Sequence, residues 1–170
     1  MSEPSFITQA LAAHHERSSF TCGVEALDRY LREQATQDIR RRVANCFVMV
    51  DEKMSSIAGY YALSATSLLL SDLPQAATKR LPRYPQVPAV ILGRLAVAID
   101  YQGRHVGAAL LADATERAAR ADIAVFAIIT DPIDERAHRF YKKHGFMELS
   151  GERPRLFIPI ESIRRLLKLP

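Results

Sequence analysis

The segment YQGRHVGAALLADA, residues 101–114, places a basic loop broken by glycine directly before an amphipathic run. A helix N-terminus carries unpaired backbone N–H groups and a partial positive charge, so a loop that lets an anion approach them can bind a phosphate. Gly103 and Gly107 permit close approach of the backbone, and Arg104 adds positive charge. These residues predict either a plain turn before a helix or a phosphate-binding loop.

Two common phosphate-binding motifs do not fit this loop. A Walker loop ends in Gly-Lys-Ser/Thr and a dinucleotide-binding fingerprint has three glycines at set spacing, and neither pattern is present. His105 stands at the tightest part of the loop, where glycine is usual. We expect histidine to be accommodated there if its backbone keeps right-handed helical angles and its side chain points away.

Tyr141 and Arg94 are two further side chains that could do chemistry. Tyr141 shares a helical face with Ala137, Phe140 and His144, which periodicity alone explains as an aromatic ring half-buried against a sheet. Arg94 interrupts the most apolar stretch of the chain. Because an unpaired buried charge is very costly, Arg94 must either form a salt bridge or face a wet cleft, where it could contact an anionic substrate.

The remaining histidines and the cysteines carry weaker signals. Cys22 and Cys46 have no metal-ligand spacing, and two thiols form no disulfide framework, so we expect buried, reduced thiols. We expect His14, His15 and His138 on the surface.

The bulk composition predicts one globular domain, with 170 residues of which 48% are hydrophobic and 25% charged. The longest apolar stretch, residues 57–70, is short and contains Gly59, Ser64, Thr66 and Ser67, so no membrane span is expected. The start MSEPSF lacks the basic-then-apolar pattern of a signal peptide. We therefore expect a soluble, cytoplasmic protein.

The net charge of +4 favours acidic partners such as nucleotides, RNA or an acidic protein, without selecting among them. The run Arg40–Arg42 fits two interpretations equally well. It is either the solvated end of a helix or a patch that contacts RNA.

Hydrophobic periodicity and turn residues predict the elements that must position these side chains. In the first half of the chain they are a helix from Val24 to about Arg42, a strand at 45–50, a turn at 51–53, an antiparallel partner strand at 56–64, a short helix at 71–79 and an irregular or extended segment at 81–88. The last segment carries three prolines in eight residues, which excludes a helix.

The second half of the chain predicts a strand–helix–strand unit. Ala89–Ile99 is apolar on both faces, which is typical of a central strand. A helix is predicted at Val106–Arg120 and a second buried strand at Ile123–Ile129. Two strands joined by a crossover helix imply a parallel pair, so the fold class is α/β or α+β with a mixed sheet.

The end of the chain predicts one well-signalled helix. Asp131 would be its N-cap, Pro132 its first residue and Gly145 its stop. The following RLFIPI predicts an edge strand, since Pro159 cannot donate to a ladder, and Glu161–Leu169 predicts a short basic helix.

The loop sequence QGRHVGA resembles the acetyl-CoA pyrophosphate loop of the GNAT superfamily of N-acetyltransferases, written Gln/Arg-x-x-Gly-x-Gly/Ala. The match runs from Gln102 to Gly107, and His105 stands where the first motif glycine belongs. The segments LGRLAVAIDYQGRHVGAALLADA and ERAHRFYKKHGFMEL are similar to two blocks of one branch of this superfamily. That branch is the acetyltransferase toxins of bacterial toxin–antitoxin pairs, which acetylate aminoacyl-tRNA.

The N-terminal HHERSSFTCGVEALDRYLREQA is similar to the opening of the same branch, a Phe-x-Cys-Gly turn followed by a Leu-Asp-x-Tyr-Leu helix. This pattern is the most specific part, because generic acetyltransferases lack it. The resemblance extends from about His14 to Phe157. It implies one GNAT domain over residues 1–170, with a mixed, mostly antiparallel sheet flanked by helices.

The resemblance also implies site residues. Tyr141 would be the general acid that protonates the departing thiolate, and Arg94 would bind substrate. Acetyl-CoA would be the cosubstrate, with no metal. Cofactor-binding roles, several of them through the backbone, are implied for Leu95, Ala96, Val97, Gln102, Gly103, Arg104, His105, Val106, Gly107, Ala108, Asp134 and Phe140.

The implied partners are aminoacyl-tRNA and a small ribbon-helix-helix antitoxin that blocks the enzyme. Operator DNA would be bound only by the pair, and the chain would form a homodimer. Three alternatives remain open: an acetyltransferase of the same fold that acts on a small amine or a protein N-terminus, a non-catalytic binding module whose loop His105 has spoiled, and a DNA-binding protein that uses Arg40–Arg42. No recognition-helix motif supports the last.

Overall fold

Strands of this chain form a mixed sheet in the computed structural model, which describes residues 3–170. The strands within that range are β1 (Phe6–Ala10), β2 (Asn45–Asp51), β3 (Ser56–Leu69), β4 (Gln86–Val97), β5 (Ala127–Thr130), β6 (Met147–Glu148) and β7 (Leu156–Pro159). Their order is β1-β2-β3-β4-β5-β7-β6. The β4–β5 pair is parallel, and β1–β2, β2–β3, β5–β7 and β6–β7 are antiparallel. The predicted mixed sheet with a central β4 is confirmed.

The helices that flank the sheet are α1 (Glu25–Arg29), α2 (Ala35–Arg40), α3 (Gln75–Thr78), α4 (Val106–Ala119), α5 (Glu135–Lys143) and α6 (Ile160–Leu166). Short 3-10 turns lie at Leu70–Asp72 and Ile99–Tyr101. The strand–helix–strand unit β4–α4–β5 is therefore present as predicted, because a parallel pair requires such a crossover.

The chain divides into two units, each with its own core. The first unit comprises the described residues up to Ser64 together with Gly93–Ala114, and its buried side chains include Phe20, Leu31, Tyr60, Tyr61 and Leu110. The second comprises Ala65–Leu92 and Thr115–Pro170, with a core of Leu68, Leu73, Val87, Ala89, Ala127, Ile129, Leu149 and Phe157. Strands β3 and β4 contribute residues to both units.

A glycine allows β3 to lie close to α4 in the first unit. A Cβ atom on Gly59 would lie 2.6 Å from Leu110 Cδ1 and 2.7 Å from the Ala96 carbonyl oxygen. Since real Cβ atoms do not approach so closely, no larger residue fits there without a shift of backbone. Gly59 therefore sets the distance between this strand and the helix that follows the candidate phosphate loop.

The first predicted helix is interrupted, which corrects the prediction of one helix over Val24–Arg42. A π-helical turn, Tyr30–Gln34, separates α1 from α2, and α2 ends at Arg40. Inside the π turn, the Leu31 carbonyl accepts a hydrogen bond of 3.2 Å from Arg17 Nη1. The Arg17 side chain, which lies outside the helix, thus provides a hydrogen-bond donor for a backbone carbonyl of the wider π-helical turn.

Two predictions around β5 are corrected. The strand begins at Ala127 rather than Ile123, which is 82% exposed, because the ladder with β4 starts only at the Ala89–Ala127 pair. The N-cap of α5 is Asp134 rather than Asp131. The Asp131 carboxylate instead pairs with Arg155, at 2.7 and 3.0 Å.

The segment predicted as an edge strand is internal. β7 lies between β5 and the two-residue β6, which the sequence did not predict, and β1 was not predicted either. β6 pairs with β7 only at Leu156 and Phe157. Pro159, which has no N–H, therefore lies beyond the part of β7 that pairs with β6, and no hydrogen bond between these two strands is lost.

No helix within residues 3–170 is long and apolar enough to cross a membrane. Cys46 is buried, whereas Cys22 is only partly buried, and both are free thiols.

His15 contradicts the prediction of a surface residue: it is 8% exposed, and its Nδ1 accepts a hydrogen bond of 2.9 Å from the Ala12 amide. His14 is exposed as predicted, and His138 is half-buried, with Nε2 3.2 Å from Glu148.

Candidate functional site

The predicted site residues fall into two groups, one in each unit. Arg94, the Leu95–Val97 strand end and the loop Gln102–Ala108 lie in the first unit. Asp134, Phe140 and Tyr141 lie on or beside α5 in the second unit.

The predicted phosphate loop lies between β4 and α4. After β4 the chain forms the 3-10 turn Ile99–Tyr101, continues through Gln102 and enters α4 at Val106. Gly103 has a φ of +77°, and no atom lies within 4 Å of where its Cβ would be. The space around this glycine is open, and the chain goes on from it into the N-terminus of α4, whose first amides can bind an anion.

His105 does not have the backbone conformation that we expected. Its φ is +63°, in the left-handed region, whereas accommodation of histidine was predicted to require right-handed angles. A left-handed conformation costs an L-residue about 1–2 kcal/mol, which explains why this position usually holds glycine. The residue is exposed, so its imidazole occupies no core space.

The side chains of the loop have different surroundings. Gln102 Nε2 donates hydrogen bonds to the carbonyls of Cys22 and Val97, at 2.9 and 3.0 Å. The Arg104 guanidinium carbon lies 5.7 Å from the centre of the Tyr101 ring and borders a cavity of about 780 Å³. Gln102 therefore fixes the loop, and Arg104 supplies its charge.

Arg94 forms neither the salt bridge nor any other ion pair within residues 3–170. Its guanidinium carbon lies 3.7 Å from the centre of the Tyr30 ring, an arrangement that stabilises the cation through the π-electrons. Burial and the neighbouring Asp38 carboxylate raise the pKa of Tyr30, so this ring stays neutral. Arg94 is thus held by a ring face and remains half-exposed, with its charge unpaired.

The position of Tyr141 follows from the way α5 ends. Gly145, with a φ of +93°, lets the Phe146 amide donate to the Tyr141 carbonyl at 3.1 Å and its own amide donate to Lys142 at 3.2 Å. This Schellman motif brings the rings of Tyr141 and Phe146 to 5.3 Å between centres. The predicted stop at Gly145 is confirmed, and it also fixes the tyrosine.

The chemistry of Tyr141 is set by its burial. The side chain is 6% exposed, and burial raises its pKa to about 12, with the Thr130 hydroxyl acting in the opposite direction. A phenol with this pKa keeps its proton at neutral pH, so it is present as a hydrogen-bond and proton donor for an anion that develops beside it. The arrangement can therefore serve as a general acid.

Asp134 and Phe140 have structural contacts of their own. The Asp134 carboxylate accepts a hydrogen bond of 2.8 Å from the Ala137 amide and so caps α5. The Phe140 ring lies between Tyr141 and His144, with centres 5.2 and 4.7 Å away. These contacts account for both residues without a ligand, and the implied cofactor roles stay predictions.

Sequence reasoning did not find Tyr30 and Asp28 as parts of the site. Tyr30 supports Arg94, and both carboxylate oxygens of Asp28 accept hydrogen bonds from the Thr21–Cys22 segment, at 3.2 and 2.8 Å. The sequence did contain a signal for both residues, since Asp28 and Tyr30 belong to the Leu-Asp-x-Tyr-Leu pattern of the N-terminal resemblance. Among residues 3–170, no group of three His, Cys, Asp or Glu side chains could hold a metal ion.

Comparison with known proteins adds the family context. The sequence profile of the acetyltransferase (GNAT) family matches residues 11–146. A tRNA-acetylating toxin of Mycobacterium tuberculosis is 33% identical over 153 residues, which cover 88% of this chain and 89% of that toxin.

Two solved structures have the same fold. One is AtaT complexed with acetyl-methionyl-tRNAfMet, with a TM-score of 0.89 and 28% identity over 96% of this chain and 99% of that one. The other is a mutant of the toxin AtaT bound to acetyl-CoA and to the C-terminus of the antitoxin AtaR, with a TM-score of 0.81 and 27% identity over 95% and 98% of the two chains.

Proposed function

Because the chain belongs to the acetyltransferase (GNAT) family, we propose that it transfers an acetyl group from acetyl-CoA to the α-amino group of aminoacyl-tRNA. The observation that carries the proposal is the conformation of the loop before α4. Gly103 has a φ of +77° with open space around it, and the loop leads into the N-terminus of α4. The similarity to a tRNA-acetylating toxin supports the choice of acceptor.

The residues after β4 fit the binding of acetyl-CoA. The unhindered Gly103 and the first amides of α4 would hold the pyrophosphate, with Arg104 contributing charge. Cofactor contacts are also proposed for the rest of the loop. The backbone of Leu95, Ala96 and Val97 is proposed to bind the pantetheine arm and to stabilise the thioester oxygen. Acetyl-CoA, when bound, supplies the acetyl group as an activated thioester.

Tyr141 is proposed as the general acid. As the C–S bond of the thioester breaks, the sulfur becomes a thiolate, and the phenol can donate its proton to it. Burial raises the pKa of Tyr141 to about 12, so the phenol is protonated at neutral pH before the transfer begins. The amine attacks the acetyl carbon directly, with no covalent enzyme intermediate, and releases its extra proton to solvent. Tyr141 regains a proton from solvent once the thiol has left.

The ordinary pKa values of amines agree with an α-amine acceptor, since no obvious carboxylate base stands in the predicted motif blocks. An α-amino group has an ordinary pKa of about 8, so a substantial fraction is neutral and nucleophilic at pH 7. A lysine side chain, with an ordinary pKa of about 10.4, is almost fully protonated and would need a base. An α-amine acceptor is therefore the one that this site can use with least help.

Contacts with RNA are proposed for two groups of arginines. Arg94 is half-exposed with an unpaired charge, and Arg40, Arg41 and Arg42 are exposed and form no ion pair within residues 3–170. Cations of this kind bind phosphates. A ribbon-helix-helix antitoxin, operator DNA bound through the antitoxin complex, a homodimer and a cytoplasmic location complete the proposal, on the family resemblance.

The first experiment is calorimetric titration of the purified protein with acetyl-CoA, followed by acetylation of charged tRNA. We expect micromolar binding and faster acetylation of aminoacyl-tRNA than of free amino acids or small amines. No detectable binding would favour a non-catalytic module. Binding with faster acetylation of a small amine or a protein N-terminus would replace the acceptor and keep the enzyme class.

The variant Tyr141→Phe tests the catalytic role. Phenylalanine keeps the ring that packs on Phe146 but has no proton to donate. We expect acetyl transfer to fall at least about tenfold, as loss of a general acid predicts, with acetyl-CoA affinity unchanged by calorimetry. Equal turnover of the two proteins would remove Tyr141 from this role.

A further inference from the structure

The turn Phe20–Gly23 is fastened to the chain on both sides of the 3-10 turn Ile99–Tyr101. The Ile99 amide donates to the Thr21 carbonyl at 2.9 Å, and Gln102 Nε2 donates to the Cys22 carbonyl at 2.9 Å. The same Nε2 donates to the Val97 carbonyl at 3.0 Å. Two consecutive carbonyls of the Phe20–Gly23 turn are thus tied to the end of β4 and to the start of the proposed pyrophosphate loop.

Asp28 holds the Phe20–Gly23 turn in this shape. Its Oδ1 accepts from the Cys22 amide at 2.8 Å, and its Oδ2 accepts from the Thr21 hydroxyl at 3.2 Å. The residue is 6% exposed, so these bonds are largely shielded from water. Hydrogen bonds to a carboxylate are stronger than bonds between neutral groups. Gly23, with a φ of +93°, lets the chain turn from there towards α1.

We infer that Asp28 and Gln102 are positioning residues for the pyrophosphate loop, which they order through the Phe20–Gly23 turn before acetyl-CoA binds. The inference rests on the proposed function, because it assumes that this loop binds acetyl-CoA. Neither side chain needs to touch the reacting atoms. Asp28 shapes the turn, the turn presents the Thr21 and Cys22 carbonyls, and Gln102 anchors the loop to them.

The expected consequence is a change in affinity without a change in the chemical step. A loop that is already ordered pays no ordering penalty on binding, and one that is ordered only part of the time binds more weakly in proportion to that fraction. At saturating acetyl-CoA the loop is ordered by its ligand, and kcat is restored. Loss of the hydrogen bonds that hold the Phe20–Gly23 turn and the loop together should therefore raise Kd and KM for acetyl-CoA and leave kcat near its original value.

The test compares Asp28→Ala with Asp28→Asn by calorimetric titration with acetyl-CoA and by steady-state kinetics. We expect Asp28→Ala to raise Kd about tenfold, with kcat changed less than about twofold. Asparagine keeps an oxygen that can accept from the Cys22 amide and an NH₂ group for the Thr21 hydroxyl. Asp28→Asn should therefore bind within about threefold of the parent protein.

Tyr60→Phe is the matched control. The Tyr60 hydroxyl donates to the Leu27 carbonyl of α1 at 2.6 Å, so this variant loses a bond to the same helix. It keeps the ring that packs on Phe20, with centres 5.6 Å apart, and leaves the hydrogen bonds of the Phe20–Gly23 turn in place. Its acetyl-CoA affinity should not change. If Tyr60→Phe weakens binding as much as Asp28→Ala, or if folded Asp28→Ala binds normally, the inference is wrong.

Gln102→Met serves if Asp28→Ala does not fold. Methionine keeps the length of the exposed side chain and loses both donors, so Kd should rise about fivefold with the fold intact. Amide hydrogen exchange of residues 102–108 without ligand should be faster in this variant. Unchanged exchange would overturn the inference whatever the Kd, because loss of a direct contact between Gln102 and the ligand would raise Kd without loosening the free loop. If the parent protein itself does not bind acetyl-CoA, the proposed function fails first, and the titration shows this separately.

Discussion

Tyr141 is a general-acid candidate because of where α5 ends. The Schellman motif at Gly145 packs Phe146 on the tyrosine ring, and the resulting burial raises the pKa to about 12. A side chain that packs in the core can thus hold a proton for chemistry. Periodicity alone predicted the packing, and the family resemblance predicted the chemistry; the structure shows that the two are compatible.

The raised pKa of Tyr141 predicts the pH dependence of acetylation. The acid must be protonated to act, so its contribution is lost only as the pH rises through about 12. The acceptor must be neutral, so kcat/KM for aminoacyl-tRNA should rise up to about pH 8 and stay level to about pH 10. Rapid-quench initial rates measure this, and a decline that sets in between about pH 8 and 10 would contradict it.

His105 predicts a stabilising substitution in the loop. Glycine has no penalty at a φ of +63°, although it loses more freedom on folding, so His105→Gly should stabilise the protein by about 0.5–1 kcal/mol. Urea denaturation measures the gain, and calorimetry should show equal or tighter acetyl-CoA binding. Glycine that abolishes binding would mean that the imidazole itself contacts the ligand.

Two controls separate backbone strain from side-chain effects. His105→Ala removes the imidazole but keeps the left-handed strain, and it should bring no gain in stability. Ser55, with a φ of +50° in the turn between β2 and β3, lies outside the proposed cofactor site. Ser55→Gly should raise stability by a similar amount with no change in acetyl-CoA affinity.

At the scale of the elements, the contact of β3 with α4 predicts a strongly destabilising substitution. The Cβ of Gly59→Ala would meet the Ala96 carbonyl oxygen at 2.7 Å, and a backbone atom cannot move aside as a flexible side chain can. We expect a loss of about 2 kcal/mol, measured by urea denaturation. Gly93→Ala is the control, since nothing lies within 4 Å of its Cβ; an equal loss in both variants would contradict the steric explanation.

The elements that sequence predicted well are those whose signal is local and repeated. The central position of β4 followed from an apolar run on both faces, and α4 followed from the spacing of Leu110, Leu111, Ala114 and Ala118, all of which are buried. The end of α5 at Gly145 could be predicted because glycine adopts the positive φ that ends a helix, here +93°, without steric cost.

The elements that sequence missed depend on contacts far along the chain. β1 exists because Phe6–Ala10 pairs with Phe47–Asp51, and FITQA has no strong pattern of its own. The π turn needs Arg17 to satisfy Leu31. Asp131 was mistaken for the N-cap because its partner, Arg155, lies 24 residues later in the sequence, between β6 and β7. The predicted phosphate loop does lie between β4 and α4, but its bond to Cys22, and the bond of Cys22 to Asp28, could not be predicted from spacing.

At the scale of the whole molecule, the residues proposed for the chemistry are divided between the two units. The first holds the loop, Arg94 and the Phe20–Gly23 turn, and the second holds Tyr141. The overall charge of +4 is compatible with an RNA partner, and the arginines proposed to contact RNA, at positions 40–42 and 94, lie in the first unit. Cosubstrate binding and proton donation should therefore respond separately to substitution.

The stability of the fold should depend on pH through His15. Burial, and then the neighbouring charges of His14 and Arg17, lower its pKa below the ordinary value of about 6.5. Below that value the unfolded chain takes up a proton that the folded chain does not. The contribution of neutral His15 is therefore complete above about pH 6.5 and is lost as the pH falls from there through the pKa of the folded state.

His15→Asn tests this dependence, because its amide oxygen can accept the Ala12 hydrogen bond without titrating. We expect its Tm to fall less than that of the parent protein between about pH 8 and pH 5. His14→Asn keeps the buried imidazole and should keep an acid-dependent loss, reduced because one neighbouring charge is gone. If the parent and His15→Asn lose Tm equally over this range, His15 does not cause the acid-dependent loss of stability.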